Sequence, residues 1–299
     1  MRLAVIVLLM LASVATAADP RMLAAAYEIA GRVTASGEPW TPADFGDDLG
    51  MWLRSESATM SVITNEVDRW TNTAPAAASV AVATASTRRP DLIASALNGK
   101  AIVRWNGSVD RATYSGTNDL RAVPGYSAIY VFRPNAIPTG AQNLVTYYTA
   151  ANGTTRFFFS LDSNKRLGYG VRRDDGDGTV SGFSPTNQAA ISTSQWCIAS
   201  LSIDFATRGV TIYANGTALT NAANATSEGA LSSDTASAAV PIVNVGATYF
   251  NGDTAEIIVL KKGATLSDIQ KAEGYAAERY DLRALLPADH PYKAAAPTK

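Results

Sequence analysis

Two pairs of carboxylates in this sequence have the residue types that acid–base chemistry on a glycosidic bond requires. Glu66 and Asp68 lie two positions apart, and Asp253 and Glu256 lie three apart. A glycosidase holds two carboxyl groups roughly 5–10 Å apart across the bond that it breaks. The first pair would share one strand face with no third acid in register, and the second pair would point to opposite faces. We therefore expect structural or turn roles for all four residues and no catalytic residue.

A third acidic group lies in the run Asp174-Asp175-Gly176-Asp177-Gly178. Carboxylate oxygens are the ligands that a hard cation such as Ca²⁺ prefers. Asp174, Asp175 and Asp177 are therefore the candidate metal ligands, and calcium is the one cofactor that the sequence suggests. The later ligands of an EF-hand loop are absent and two arginines precede the run, so a solvated turn is the favoured interpretation.

Aromatic side chains beside a predicted turn are the best candidates for contacting a ligand. Tyr249 and Phe250 directly precede Asn251 and Gly252, and Asp253 follows. An exposed aromatic face can stack on the apolar C–H surface of a sugar ring. We therefore take Tyr249, Phe250, Asn251 and Asp253 as candidate ligand-binding residues. The tryptophans embedded in strand-like sequence are instead expected to build the core: Trp52, Trp70, Trp105 and Trp196.

The composition excludes several functional classes. The 299 residues include 26 acidic and 25 basic side chains, for a formal charge of −1. Such a chain has no broad basic field, so we expect no nucleic-acid partner. With Cys197 as its one cysteine and His290 as its one histidine, it cannot form an intramolecular disulfide or a Cys/His zinc site. His290 lies in a C-terminal tail, where a capping or packing role is expected.

Residues 1–17 have the pattern of an export signal. Arg2 precedes an apolar run from Leu3 to Val14, and Ala15-Thr16-Ala17 fits a small-residue cleavage site. A membrane anchor is the alternative, but the run is well short of the roughly 20 residues that cross a bilayer. We therefore expect a secreted or cell-surface protein that begins near Ala18 and has no transmembrane segment after signal removal.

Short apolar alternations broken by turn residues extend from Gly50 to about Lys261 and predict β-structure. Cys197 to Phe205 alternates with small polar residues, and the pattern resumes from Val210 to Ala214 after a turn. The segments 157–161 and 167–171 predict a second hairpin. Asn-Gly pairs, which favour the positive φ angles of tight hairpins, recur at Asn98, Asn106, Asn152, Asn215 and Asn251. The fold class expected is all-β: a two-sheet antiparallel jelly-roll sandwich.

Short helices are predicted on both sides of this β region. Asp19-Pro20 would begin the first, which extends to about Val33, and Thr265-Leu266-Ser267-Asp268 resembles a capping box that begins the second. The predicted organisation is a signal peptide at 1–17, a helix and linker at 18–47, a sandwich at 48–263, and a C-terminal helix and tail at 264–299.

Several segments, read in order, resemble the concanavalin A-like lectin/glucanase superfamily in its laminin-G-like branch. They are Leu49-Gly50-Met51-Trp52-Leu53, Val67-Asp68-Arg69-Trp70, Arg89-Pro90-Asp91-Leu92 with the hairpin 97–107, Ile212-Tyr213-Ala214-Asn215-Gly216, and the run Phe250 to Val259. The resemblance covers about residues 48–293. The sequence lacks the E-x-D-x-E strand of the glucanase branch. Asn106 stands where that family often has a calcium-binding Asp.

The resemblance implies a fold more strongly than an activity, because one scaffold hosts unrelated functions. The function expected first is a non-catalytic recognition module for a polysaccharide or cell-surface glycan. A phage virion component, a tail or capsid-surface protein that contacts other virion proteins or the host, is the alternative from another class. A divergent glycoside hydrolase is the third.

Overall fold

The computed structural model describes residues 37–60, 65–74, 80–82, 89–108, 110, 112–115, 120–149, 154–174, 176–185, 191–193, 195–219, 229, 231–232, 241–245 and 250–299. The predicted signal peptide and the predicted helix that ends near Val33 lie outside these residues. So do Asp175, Tyr249 and most of residues 220–239.

The described part of the chain is built from antiparallel β-strands, as the alternation predicted. The strands are β1 (Leu49–Met60), β2 (Val67–Asn72), β3 (Val80–Val82), β4 (Asp91–Leu97), β5 (Lys100–Asn106), β6 (Ala112–Ser115), β7 (Gly125–Pro134), β8 (Gln142–Thr149), β9 (Thr154–Leu161), β10 (Leu167–Val171), β11 (Val180–Phe183), β12 (Cys197–Asp204), β13 (Gly209–Ala214), β14 (Thr217–Leu219), β15 (Pro241–Val245) and β16 (Asn251–Leu260). One α-helix, α1 (Leu266–Arg279), follows them. Short 3₁₀ helices occupy Pro42–Asp48 and Arg283–Leu285.

The strands form a sandwich in which the hydrogen-bonded path folds over on itself. Its order is β11-β10-β9-β8-β15-β6-β3-β2-β1-β16-β7-β12-β13-β14, with β5 also paired to β16 and β4 to β5. Strands β7 and β9 are far apart along this path, yet the rings of Tyr126 and Phe157 lie 5.4 Å apart. Tyr126 likewise contacts Tyr147 of β8 at 6.0 Å. The layer containing β7, β12 and β16, here the front sheet, therefore packs face to face against the layer containing β8, β9 and β10.

The front sheet is apolar on both faces, which explains its near-continuous hydrophobic sequence. In β7, Tyr130 and Phe132 point into the core between the two layers, whereas Ile129 and Val131 belong to a second cluster under α1. We call the side of the front sheet that carries this second cluster the helix face. Trp52 and Trp196 belong to it, whereas Trp70 and Trp105 lie in the inner core, so the predicted burial of all four is confirmed.

Two of the predicted Asn-Gly turns are confirmed. Asn98 and Gly99 have φ angles of 47° and 82° between β4 and β5, and Asn215 and Gly216 have φ angles of 51° and 79° between β13 and β14. The prediction of a turn at Asn251-Gly252 is wrong, because both residues are in β16, where they pair with Asn106 and Trp105 of β5.

Helix α1 begins at the predicted capping box. The Thr265 hydroxyl accepts a hydrogen bond from the amide of Asp268 at 3.2 Å, and the Asp268 carboxylate accepts one from the amide of Thr265 at 3.0 Å. Its apolar side, with Ile269, Ala272 and Ala276, covers part of the helix face. In the described residues, no helix is both long enough and apolar enough to cross a membrane.

Cys197 should be chemically inert in the folded protein. It is fully buried in the inner core, and burial raises the pKa of its thiol. Because the thiolate is the reactive species, we expect labelling by a thiol reagent to need unfolding. The measurement is labelling rate in native buffer and in denaturant, with Ser267→Cys, at an exposed helix position, as the matched accessible thiol. Equal native labelling rates at the two positions would contradict the assignment.

Candidate functional site

A row of charged side chains crosses the helix face of the front sheet at the end that α1 leaves uncovered. Strand pairing aligns Asp91 of β4 with Arg104 of β5, Arg104 with Asp253 of β16, and Asp253 with Arg133 of β7. Trp196 is opposite Arg133, because Cys197 pairs with Phe132 in the antiparallel ladder between β12 and β7. We call these five residues the charged row.

Alternation along each strand places the row on the helix face. Ile102 of β5 and Val131 of β7 belong to the cluster under α1, and Arg104 and Arg133 lie two positions beyond them on the same strand faces. Thr254 points the other way, since its hydroxyl accepts a hydrogen bond from Trp105 in the inner core at 2.8 Å. Its neighbour Asp253 therefore points to the helix face.

Asp253 is the centre of the row and holds both arginines. Nε of Arg104 lies 2.7 Å from Oδ1 of Asp253, and Nη2 of Arg104 lies 3.1 Å from Oδ2. Nη2 of Arg133 donates to the same Oδ2 at 2.6 Å. The Asp253 side chain is fully buried, whereas those of Arg104 and Arg133 are 39% and 28% exposed. The buried carboxylate thus fixes two guanidinium groups whose outer edges face solvent.

The indole ring of Trp196 forms the end of the row beside β12. The guanidinium of Arg133 lies over the ring of Trp196, 5.4 Å from its centroid. A cation placed in this way is attracted by the ring quadrupole, so Arg133 is restrained from two sides. The hydrogen bond with Asp253 raises the pKa of Arg104, against the opposing effect of partial burial. The Arg104 guanidinium is therefore held both in position and in its charged form.

The predicted ligand-binding set is only partly at this site. Asp253 is its centre, but as a buried partner of two arginines, and Asn251 is next along the same face of β16. Phe250 is fully buried in the inner core, where its ring contacts Tyr130 and Phe132. The expectation that Phe250 offers an exposed stacking face is therefore wrong. Tyr249 lies outside the described residues.

Glu256 does not point away from Asp253, contrary to the expectation from their spacing. A β-bulge between Thr254 and Glu256 shifts the register of β16 against β7. Such a bulge places two consecutive residues on one face: Ala255 belongs to the cluster under α1, and Glu256 accepts a hydrogen bond from Nε1 of Trp52 on the same side. Asp253 and Glu256 share a face, but each is fully buried and bound to partners of its own.

The other carboxylates that the sequence analysis considered lie apart from the charged row or at its edge. Glu66 forms an isolated bridge with Asp91, and the side chain of Asp68 is not described.

In the acidic run, the backbone amide of Gly176 donates to Asp174 at 3.0 Å and that of Asp174 donates to Asp177 at 3.1 Å. This is the hydrogen bonding of a self-capped turn. The described residues, which do not include Asp175, contain no group of three metal-ligating side chains.

The fold also brings Ser200, Glu273 and His290 together, which their sequence positions did not suggest. Ser200 donates to Oε1 of Glu273 at 2.8 Å, and Nε2 of His290 lies 3.6 Å from Oε2. Nucleophilic catalysis needs a serine hydrogen-bonded to a base, whereas this serine donates to the carboxylate. All three residues are buried. His290 therefore has the packing role expected for it, joining the C-terminal tail to α1.

Sequence reasoning missed Arg104 and Arg133. Each is a single charged residue beside large apolar residues, in Val103-Arg104-Trp105 and Phe132-Arg133-Pro134. A lone arginine within a strand that is otherwise buried needs a partner, and this signal was available. The identity of the partner, Asp253, depends on strand pairing, because it lies 120 positions from Arg133 and 149 positions from Arg104 in the sequence.

Removing the Asp253 carboxylate should destabilise the protein much more than removing that of Asp91. Asp253→Asn leaves two partly buried guanidinium groups without their common counter-ion, and we expect a loss of about 2–3 kcal/mol in the free energy of unfolding. Asp91→Asn removes an exposed charge and should cost less than about 1 kcal/mol. Urea unfolding of both variants is the measurement, and equal losses would contradict the central position of Asp253.

The buried Glu256 carboxyl should make the protein less stable as the pH rises. Burial raises its pKa to about 7 from 4.5, although Trp52 and the charge of Arg279 act in the opposite direction. The folded state therefore retains a proton that the unfolded chain releases, and the stabilisation present below pH 4.5 is lost progressively up to about pH 7. The upper limit of this loss is about 3 kcal/mol.

Glu256→Gln should flatten this pH dependence, because glutamine keeps an oxygen to accept from Trp52 but does not ionise. The measurement is urea unfolding between pH 4.5 and 8. Glu278→Gln, at an exposed position of α1, is the matched control. If the Glu256→Gln protein keeps the wild-type slope, another group causes the pH dependence.

Comparison with known proteins shows the fold and leaves the family open. Neither a protein-family model nor a curated protein sequence matches this chain. Among solved structures, the botulinum neurotoxin serotype D binding domain is 9% identical, with a TM-score of 0.50 over 77% of this chain and 51% of that one. The sialidase CBM40 domain of Ruminococcus gnavus, bound to α2,3-sialyllactose, is 14% identical, with a TM-score of 0.38 over 50% of this chain and 82% of that one. A pentraxin from Limulus polyphemus is 15% identical, with a TM-score of 0.43 over 56% and 80%. At 9% identity, the TM-score of 0.50 with the neurotoxin domain shows a likeness of fold alone, in keeping with the antiparallel β-sandwich of the jelly-roll type that this chain forms.

Proposed function

We propose that this protein is a non-catalytic recognition module for a polysaccharide or cell-surface glycan, and that the charged row is its binding face. The observation that carries the proposal is the pair of partly exposed guanidinium groups, Arg104 and Arg133, held by one buried carboxylate. Arginines in fixed positions present several N–H donors in a rigid plane. Sugar hydroxyl and acidic groups are acceptors for such donors.

The position of the row also supports a binding role. It lies on a sheet face rather than in a loop, and side chains on strands are held more firmly than those on loops. The part of the helix face under α1 is closed by Ile269, Ala272 and Ala276, whereas the row lies beyond it. An extended ligand could therefore lie across β5, β16 and β7 at this end of the sheet.

The state of the carboxylates supports recognition over hydrolysis. A glycosidase needs an acid and a second carboxylate that both reach the substrate. Asp253 and Glu256, the pair closest to that description, are fully buried. Asp253 is bound by two arginines, and Glu256 accepts from Trp52 and lies 3.7 Å from Nε of Arg279. A divergent glycoside hydrolase remains the alternative that an activity assay would reveal, and a virion component is the alternative of another class.

The experiment is a panel of polysaccharides and intact cell surfaces, assayed for binding and, in parallel, for release of reducing sugar. The variants are wild type, Arg133→Gln, and Arg208→Gln as a matched loss of charge. Arg208 is exposed in the turn after β12, at the opposite end of that strand from Trp196. Affinity at a single open site should be weak, roughly micromolar to millimolar, so the protein is presented in many copies on one surface to gain avidity.

We expect binding without sugar release, weakened by Arg133→Gln and unchanged by Arg208→Gln. Release of reducing sugar that disappears in Glu256→Gln would establish the hydrolase instead. Binding to no glycan in the panel would reject the recognition module, and retention by Arg133→Gln of full binding would place the site elsewhere.

A further inference from the structure

We infer that the charged row selects an anionic group, a carboxylate or sulfate ester of an acidic polysaccharide, which binds the outward N–H groups of Arg133 and Arg104. This inference rests on the proposed function and specifies its ligand. Four observations carry it: the donors that the two arginines leave over, the burial of the carboxylate between them, the uneven distribution of acidic residues along the row, and the low net charge of the chain.

The first observation is the hydrogen-bonding inventory of the two guanidinium groups. Each has five N–H donors. Arg104 uses Nε and Nη2 for Asp253, and Arg133 uses Nη2. Among the described residues, Nη1 of neither arginine has a hydrogen-bond partner, and neither Nη1 is buried. Nε of Arg133 is buried and is not available to a ligand. The planar donors that remain match the two oxygens of a carboxylate or sulfate.

The second observation is that Asp253 lies behind the arginines and not beside them. Its side chain is fully buried while those of its two partners reach solvent. It can therefore orient both guanidinium groups before a ligand arrives without itself presenting a negative charge at the surface. Trp196 restrains Arg133 from a further side. Such preorganisation lowers the entropy that ligand binding would otherwise cost.

The third observation is that the row is asymmetric. Asp91 is exposed beside Arg104 at the β4 end, and its charge and that of Glu66 act on nearby Asp110. The opposite end has Arg133 and Trp196. An anion should therefore bind closest to Arg133, and Asp91 should weaken its binding by like-charge repulsion.

The fourth observation concerns the whole chain. Its formal charge is −1, with 25 basic and 26 acidic side chains, so it has no general attraction for polyanions. An acidic polysaccharide that binds must therefore do so through a local positive site. This makes single arginine substitutions decisive.

The experiment measures the binding of the full chain to three soluble polymers by calorimetry at low and high salt. Polygalacturonate carries carboxylates, dextran sulfate carries sulfate esters, and dextran is neutral. The variants are Arg133→Gln, Arg133→Lys, Asp91→Asn and the control Arg208→Gln. Urea unfolding of each variant checks that it is folded, and the exposed Asp91 provides a variant that does not depend on removing a partner of buried Asp253.

We expect one or both acidic polymers to bind and dextran not to bind, with the preference between them identifying carboxylate or sulfate as the recognised group. Arg133→Gln should lower the affinity at least tenfold. Arg133→Lys should lower it severalfold, because lysine keeps the charge but loses the planar donors. Asp91→Asn should raise it severalfold, and Arg208→Gln should change it less than twofold.

Three results would overturn the inference. Dextran binding as tight as that of the acidic polymers, and unaffected by Arg133→Gln, would keep the glycan-recognition function and reject anion selection. Equal losses in Arg133→Gln and Arg208→Gln would show general electrostatic attraction. Binding to none of the three polymers would reject anion selection; recognition of another glycan in the wider panel would then still support the proposed function.

Discussion

The central strand β16 is buried on both faces, and most of the architecture follows from this constraint. Nine of its ten residues, Gly252 to Leu260, are buried. A strand in this position can carry polar side chains only if each one has a partner, because an unpaired buried charge is very costly. Asp253 is paired with two arginines, Thr254 with Trp105 and Tyr130, and Glu256 with Trp52. These partners come from three other strands, β1, β5 and β7, so the polar residues of β16 favour one pairing register with each of these strands.

The β-bulge is the second consequence of this arrangement. Without it, strict alternation would place Glu256 on the same face as Thr254, in the inner core with Trp105 and Tyr130. The extra residue turns Glu256 to the helix face, where Nε1 of Trp52 and Arg279 of α1 are available. The same shift places Ala255 under Tyr280, whose hydroxyl donates to the Ala255 carbonyl at 3.1 Å. The bulge thus couples the central strand to the helix that covers it.

Helix α1 and the tail divide the helix face into a closed part and an open part. Glu273, a buried residue of α1, accepts a hydrogen bond from Ser200 and lies near His290, so that polar contacts as well as apolar packing hold the helix in place. Beyond α1, the charged row occupies the helix face. The buried carboxylate of Asp253 balances the charge of its two arginines. Both parts use a buried carboxylate, but with different results. Glu273 holds α1 against the sheet, whereas Asp253 orients two arginine side chains toward solvent.

The amino-acid sequence by itself determined the β-sandwich, its hairpins and the start of α1, because alternation, Asn-Gly turns and capping boxes act over a few residues. The hairpin of β12 and β13 and the capping box at Thr265 were predictable for this reason. Only the tertiary structure decided the site. The sequence predicted Asp253 as a ligand-binding residue, yet its surroundings are formed by Arg104 and Arg133, which lie 149 and 120 positions away. Phe250 was predicted to lie beside a turn with an exposed ring, although the pairing of the adjoining strand β16 with distant strands places that ring in the core. Local patterns show which residues form strands, whereas the pairing of strands that are far apart in sequence determines which side chains meet.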